Sequence, residues 1–285
     1  FTLLEDLGYL PRVAFNLDNC FRKCGACGKQ ALTMCMGFGC NAVGVTGCRI
    51  ISSRREKLIA ILTNSFVPCN GRFPLLISVF TMFAVVSSPF SSFISAALLS
   101  AAICAGVIAT LFASKFLSAT FLRGEPSAFT LELPPFRMPQ VGRTVVRSVF
   151  DRTLFVLSRA AAVAAPAGLV IWLLSNISVG NFSLLSHITG FLDPFARFFG
   201  LDGVILTAFI LGFPANEIVL PIIVAAYLSA GSLSEISDLV ALKTLLTANG
   251  WTLSTALCTV AFSLFHWPCS TTLLTVKKET GSLKY

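Results

Sequence analysis

Three cysteines, one histidine and one glutamate stand at places where the chain cannot continue a regular helix. Cys40 closes the run Met36-Gly37-Phe38-Gly39-Cys40-Asn41, Cys69 follows Pro68, and Cys269 follows Pro268 with His266 just before it. Glu217 lies beside Asn216 in the apolar run Leu211-Gly212-Phe213-Pro214-Ala215-Asn216-Glu217-Ile218. Soft sulfur with imidazole suits a late first-row divalent ion and suits magnesium or calcium poorly. A helix interrupted at Gly37 and Gly39 ends in unpaired carbonyls, which favour a cation. The next half-helix begins near Asn41 with unpaired amides, which favour a thiolate at Cys40. Pro68 also frees a carbonyl one turn back. A glutamate in such an apolar run costs about 2.5–3.5 kcal/mol to insert, so Glu217 calls for a partner or a water-filled path, as ligand or as switch.

Each of these residues has a plainer reading beside the functional one. A buried cysteine is a small core hydrophobe in most settings, and Cys35, Cys48, Cys104 and Cys258 are read that way. His266 reads first as a packing or hydrogen-bonding residue and second as a ligand. Cys20, Cys24 and Cys27 form a C-x3-C-x2-C cluster beside Arg22, Lys23 and Lys29, either a redox-sensitive, metal-sampling group or an incidental surface feature. A tetrahedral site needs four ligands, and no second pair is adjacent. Gly28-Lys29 lacks the upstream glycine and the following Ser/Thr of a phosphate loop. No Ser-His-Asp, HExxH or GxSxG arrangement is present, so catalysis by this chain is not expected.

The elements that must position these residues are written as an echo. The Gly37/Gly39/Asn41 break is answered by Gly212, Pro214 and Asn216, and Pro68-Cys69 leading to Leu75-Leu76 is answered by Pro268-Cys269 leading to Leu273-Leu274. Paired interruptions in two halves indicate a transporter whose site sits where broken helices meet. The composition agrees. Of 285 residues 55% are hydrophobic and 12% charged, and the mean hydropathy is +0.82, far from soluble usage. The net charge of +8 is carried by segments between apolar runs, the pattern of cytoplasmic loops rather than of a nucleic-acid surface. The ten cysteines lie mostly in apolar runs or on the basic side, where thiols stay reduced, so few or no structural disulfides are expected. The chain opens on Phe1 with no signal-peptide pattern and reads as a fragment or cleaved product of a longer polypeptide.

The expected fold is all-α: a polytopic transmembrane helix bundle with two broken-helix, re-entrant hairpins in an inverted repeat. Residues 1–29 show apolar positions at helical spacing and read as an amphipathic interfacial helix. Residues 30–48 form the first broken hairpin. Spans are expected over 58–84, broken at Pro68 and Pro74, over 90–114 after a turn at Pro89, and over 160–175. A second broken segment covers 204–230, and a last span covers 251–276. Loops are expected over 176–203, with an amphipathic part, and over 231–250. This gives a first gate repeat over 1–114, a basic cytoplasmic loop with an amphipathic segment over 115–159, and a second gate repeat over 160–285. Cations cluster at 49–57, 115–159 and 277–284. Placing those inside makes the spans alternate consistently and sends the two hairpins in from opposite faces.

These motifs resemble the membrane domain of the ferrous iron transport protein B (FeoB) family. The resemblance is carried by the Leu4–Phe15 stretch, Gly37-Phe38-Gly39-Cys40-Asn41, Pro68 through Pro74, Gly212 through Ile218, and His266-Trp267-Pro268-Cys269-Ser270-Thr271-Thr272. It implies a multi-pass importer of ferrous iron in the bacterial cytoplasmic (inner) membrane with two gate regions, Cys40, Cys69 and Cys269 being the pathway cysteines. Asn41, Asn216 and Glu217 accompany them in the gate motifs. Family members carry an N-terminal GTP-binding domain and a first span that this sequence lacks, so GTP would act only through a missing domain in cis or a partner in trans. Fe2+ is the transported ion and no cofactor is permanently bound. Other partners are membrane lipids and a homo-oligomeric copy, with no nucleic acid. Cys20, Cys24, Cys27 and Cys48 depart from the family pattern, as does Asn70-Gly71, where a small residue and Ala are more usual. Two other readings stand beside this one: a gate-type carrier of nucleosides or another organic solute, and a non-transporting membrane iron sensor working through Cys20, Cys24 and Cys27.

Overall fold

The computed structural model describes residues 7–84, 91–124, 154–179, 182–228 and 239–281, with isolated positions between 141 and 150. Those residues are overwhelmingly helical, and the exception is a two-residue antiparallel ladder of Ser178–Val179 with Phe182–Ser183. The helices are α1 (Tyr9–Lys23), α2 (Lys29–Gly39), α3 (Asn41–Gly47), α4 (Arg54–Thr63), α5 (Phe73–Ala84), α6 (Ser91–Ala119) and α7 (Leu154–Asn176). They continue as α8 (Leu184–Phe198), α9 (Gly203–Leu211), α10 (Val219–Tyr227), α11 (Leu239–Ala248), α12 (Leu253–Phe265) and α13 (Ser270–Thr280). Two stretches, Ser92–Ala119 and Leu253–Thr280, are long and apolar enough to cross a membrane, the second interrupted after Phe265. The pair α8 and α9 passes the same test together and bends by 106°. The fold is an all-α, polytopic helical bundle containing broken helices.

The chain divides into two compact units, residues 1–70, 104–161 and 271–285 in the first and 71–103 and 162–270 in the second. In the first unit α1 buries Leu10, Ala14, Asp18 and Phe21 on one face, as its spacing requires. Small apolar clusters then hold the rest: Phe21, Ala26, Ala31, Met34 and Val67 form one, and Cys27, Val45, Cys48, Ile51, Ala60, Ile61 and Val276 another. The second unit has a single larger core. Leu76 and Phe80 of α5, Ile205 and Phe209 of α9, Ile222 and Ile223 of α10, Leu242 and Leu246 of α11, and Val260 of α12 all enter it.

The repeat runs deeper than the paired breaks. In the first unit Asp18 accepts from the Gly28 amide at 2.7 Å and pairs with Arg22; in the second Asp193 accepts from the Gly203 amide at 3.1 Å and pairs with Arg197. Both helices end at a left-handed glycine, Gly25 at φ 73° and Gly200 at φ 71°, a conformation that a Cβ disfavours. A Cβ on Gly28 would strike the carbonyl of Ala14, and one on Gly203 the carbonyl of Thr189. All these positions match at a constant offset of 175 residues, which also relates Cys40 to Ala215 and Asn41 to Asn216. The break residues agree in backbone: Cys40 has φ −155° and ψ 123°, Ala215 φ −152° and ψ 117°. Each unit thus builds the same device, an amphipathic helix turned tightly onto a broken one.

Several boundaries differ from the sequence expectation. Residues 239–248, expected as loop, form α11, because Leu242 and Leu246 lie one turn apart and are buried. The amphipathic part of 176–203 is a full helix, α8, capped by Ser183 and exposing Phe191, Phe195 and Phe198. Pro74 does not break a span; it sits in the first turn of α5, where its missing amide costs nothing. The span expected over 90–114 runs on to Ala119, and the span expected from 160 begins at Leu154. The turn at Pro89 and most of the basic stretch over 115–159 lie outside the described residues.

Candidate functional site

At the first break, α2 ends at Gly39 and α3 begins at Asn41, with Cys40 extended between them and half-buried. The Cys40 amide donates to Met36 O at 3.1 Å, and its own carbonyl accepts from Gly44 N at 3.0 Å. Gly39 faces open space, while Gly37 and Gly44 both lie against the Asn64 carboxamide. Asn64, in a 3-10 turn after α4, donates from Nδ2 to Asn41 O at 3.0 Å. The Asn41 carboxamide, with its nitrogen turned toward the carbonyls, donates to Gly37 O and Val67 O at 3.2 Å each. Asn41 and Asn64 are 2% and 1% exposed, and Asn64 Oδ1 is a buried acceptor with no hydrogen-bond partner among the described residues. Pro68 and Cys69, both buried, continue directly from Val67 through a non-helical turn. The structure therefore brings the Cys40 break and the start of the Pro68-Cys69 break together through two asparagines. Asn41 was legible in the gate motif; Asn64, in Thr63-Asn64-Ser65, carried no signal in the sequence and was missed.

At the second break several backbone carbonyls are held by protein donors, and Gly212 O, the counterpart of Gly37 O, accepts from the Ala215 amide at 3.0 Å. Ser270 donates from its amide to Phe213 O at 2.8 Å and from Oγ to Pro214 O at 3.4 Å. Arg72, 1% exposed, donates to Leu264 O at 3.0 Å and to His266 O at 3.3 Å. Its guanidinium thus caps the carbonyl end of α12, the position where a helix terminus favours a cation. His266 Nδ1 faces Ser263 O at 2.9 Å and Phe262 O at 3.2 Å, and the ring packs 4.9 Å from Phe209 and 5.9 Å from Phe262. With Nδ1 as donor, the remaining nitrogen is the one able to accept. Pro268 and half-buried Cys269 lie in the non-helical stretch between α12 and α13. Gly212 is packed so closely that a Cβ would meet Val219 Cγ2 at 2.5 Å. Asn216 is buried, but Glu217 is exposed and passes over Gly71, whose added Cβ would lie 3.1 Å from Glu217 Cγ. The 3-10 turn of Asn216–Ile218 rotates Glu217 outward, so the apolar run around it does not bury it.

The thiols of the C-x3-C-x2-C cluster part company. Cys20 is exposed, Cys24 half-buried and Cys27 buried. Burial, then the Glu56 carboxylate beside it, pushes the Cys27 thiol up to about 11. Burial and the neighbouring Cys20 raise Cys24 as well. Among the described residues no three His, Cys, Asp or Glu side chains come together to hold one metal ion.

The family described as Gate: Nucleoside recognition matches residues 1–84 and 157–283, and the one described as Ferrous iron transport protein B C terminus matches residues 98–152. The Fe(2+) transporter FeoB of Staphylococcus aureus (strain COL) is 30% identical over 297 aligned residues, covering 100% of this chain and 41% of the relative. That of Campylobacter jejuni subsp. jejuni is 28% identical, covering 99% and 47%. That of Methanocaldococcus jannaschii is 27% identical, covering 98% and 42%. The chain thus spans less than half the length of these curated relatives. No solved structure matches it. With the Gate model matching well over half of its residues, the chain belongs to the Gate family, in the form that accompanies the ferrous iron transport protein B C terminus.

Proposed function

We propose that this chain is a membrane permease module for ferrous iron. The observation that carries the reading is the first break: Cys40 stands in an extended link between two half-helices and Cys69 in the turn that follows Val67. The link belongs to a chain similar along its length to proteins named Fe(2+) transporters. Cys40 and Cys69 in one unit and Cys269 in the other are the sulfur contacts of the ion. They act in succession rather than as one tight site, because a permeating ion must also leave. The halves 1–114 and 160–285 form gate repeats entering the membrane from opposite faces, and the basic stretch over 115–159 faces the cytoplasm of a multi-pass inner-membrane protein. Glu217 serves the path from its exposed position. The chain itself is not an enzyme: a nucleotide-binding domain, in cis or in trans, supplies any GTP hydrolysis, and a homo-oligomer in lipid, without nucleic acid, is the working form.

Anaerobic Fe2+ binding to the purified chain in detergent, beside a Cys40→Ser/Cys69→Ser/Cys269→Ser variant, tests this. Binding in the wild type, lost in the variant, is expected. Equal binding by both removes sulfur from the path.

A nucleoside carrier is the second reading, favoured by the description of the matching family as nucleoside recognition. It requires solute binding that nucleoside displaces, Fe2+ does not, and the cysteine substitutions leave unchanged.

A further inference from the structure

The two breaks share one backbone geometry but differ in what their carbonyls face. At the second break Gly212 O, the counterpart of Gly37 O, accepts from the Ala215 amide at 3.0 Å, and Ser270 and Arg72 hold the carbonyls of Phe213, Pro214, Leu264 and His266. At the first break the backbone acceptors Gly37 O and Val67 O face a neutral, reversible group, the Asn41 carboxamide, at 3.2 Å each. A carboxamide presents a donor or an acceptor to the same point by a half-turn, and the two ends are nearly equal in size. With nitrogen inward it satisfies both carbonyls. With oxygen inward, Asn41 Oδ1 lies 3.2 Å from each of the two backbone oxygens. A divalent ion held at about 2.0–2.2 Å by oxygens roughly at right angles needs those oxygens about 3 Å apart. The buried Oδ1 of Asn64, without a hydrogen-bond partner among the described residues and lying against Gly37, adds a further acceptor at the same break.

We propose that Asn41 is a turning ligand for the transported divalent cation, its Oδ1 joining Gly37 O and Val67 O to form an oxygen face beside Cys40. This rests on the proposed iron path and adds to it an oxygen step that sulfur does not supply. Without the ion the amide turns its nitrogen inward and closes the site with two hydrogen bonds. With the ion the amide reverses and those hydrogen bonds exchange for three metal–oxygen contacts. The donors are uncharged, which favours the weak binding that release requires. At the second break Gly212 O, the counterpart of Gly37 O, is already held by the Ala215 amide.

The test is an anaerobic titration of the full chain with Fe2+ and, by electron paramagnetic resonance, with Mn2+, an oxygen-preferring probe. Asn41→Ala is expected to weaken both by about tenfold or more, and Asn41→Asp to tighten both by about tenfold, since a carboxylate offers oxygen in either orientation and adds charge. A purely structural asparagine gives the opposite sign for Asn41→Asp, which cannot donate to the two carbonyls. A readout independent of any variant's folding uses wild-type chain carrying carbon-13 at the asparagine side-chain carbonyls: bound Mn2+ must show a carbon hyperfine coupling. Absence of that coupling, or Asn41→Asp binding no tighter than wild type, overturns the proposal. If Fe2+ binding then still depends on the cysteines, the sulfur path survives without Asn41. A wild type that binds neither ion removes both.

Discussion

The side-chain amide of Asn64 meets the backbone carbonyl of Asn41 at 3.0 Å, so a residue at the end of one helix fixes the opening of another broken one. Gly37 and Gly44 make this contact feasible, since a Cβ on either would lie 2.9 Å or 2.7 Å from an Asn64 carboxamide atom. Asn64→Leu removes the hydrogen bond and forces an apolar side chain into a slot shaped for a planar amide. A loss of about 1–3 kcal/mol is expected for the unsatisfied carbonyl, read as a lower melting temperature in detergent. Unchanged melting would mean that the break holds itself open without Asn64.

The matched turns predict matched losses. Gly28→Ala and Gly203→Ala each drive a methyl against a backbone carbonyl, of Ala14 and of Thr189, and a backbone neighbour cannot swing aside. Each is expected to cost about 1–3 kcal/mol as an overpacked contact. Gly39→Ala meets nothing within 4 Å and serves as the control, within about 0.5–1 kcal/mol of wild type for a helix-end glycine. Melting curves of the three variants decide it, and equal behaviour of all three would contradict the shared turn.

Arg72 is expected to be intolerant even of lysine. Its guanidinium reaches two carbonyls at once, Leu264 O and His266 O, a fork that a single ammonium does not reproduce. Arg72→Met leaves both carbonyls buried without their charged donor, a loss of about 1.5–3 kcal/mol per charged hydrogen bond. Arg72→Lys should recover less than half of that loss in stability.

The thiol cluster should label in order of exposure. Cys20 reacts first with maleimide. Cys27, pushed up to about 11 by burial and by Glu56, holds only about one part in ten thousand as thiolate at neutral pH, and the thiolate is the reactive form. Its labelling therefore accelerates as pH rises toward 11 and is negligible at pH 7. The sign follows from the raised value: folding favours the protonated thiol, so this contribution is complete below the ordinary thiol pKa and lost as pH passes through 11. Mass spectrometry of chain labelled at pH 7 and pH 9 reads it directly. Rapid labelling of Cys27 at pH 7 would mean that the thiol is not buried.

What the sequence determined by itself was the class of the molecule and the location of its breaks. Glycine, proline and asparagine set inside apolar runs leave few backbone options, so the helix ends at Gly39, Leu211 and Phe265 were readable from residue type alone. The helical spacing of Leu7, Leu10, Val13, Ala14 and Leu17 likewise marked an amphipathic helix where α1 forms. The tertiary structure decided which polar groups meet at those breaks. Asn64 looks like any polar residue near a helix end until folding sets it between Gly37 and Gly44. Arg72 reads as one more cation in a mixed turn until burial places it on the carbonyls of α12. Glu217 reads as buried until a 3-10 turn rotates it outward. The physical reason is one of range: helix breaks follow from torsion preferences within a few residues, whereas the partner of an unpaired carbonyl is drawn from anywhere the chain can reach.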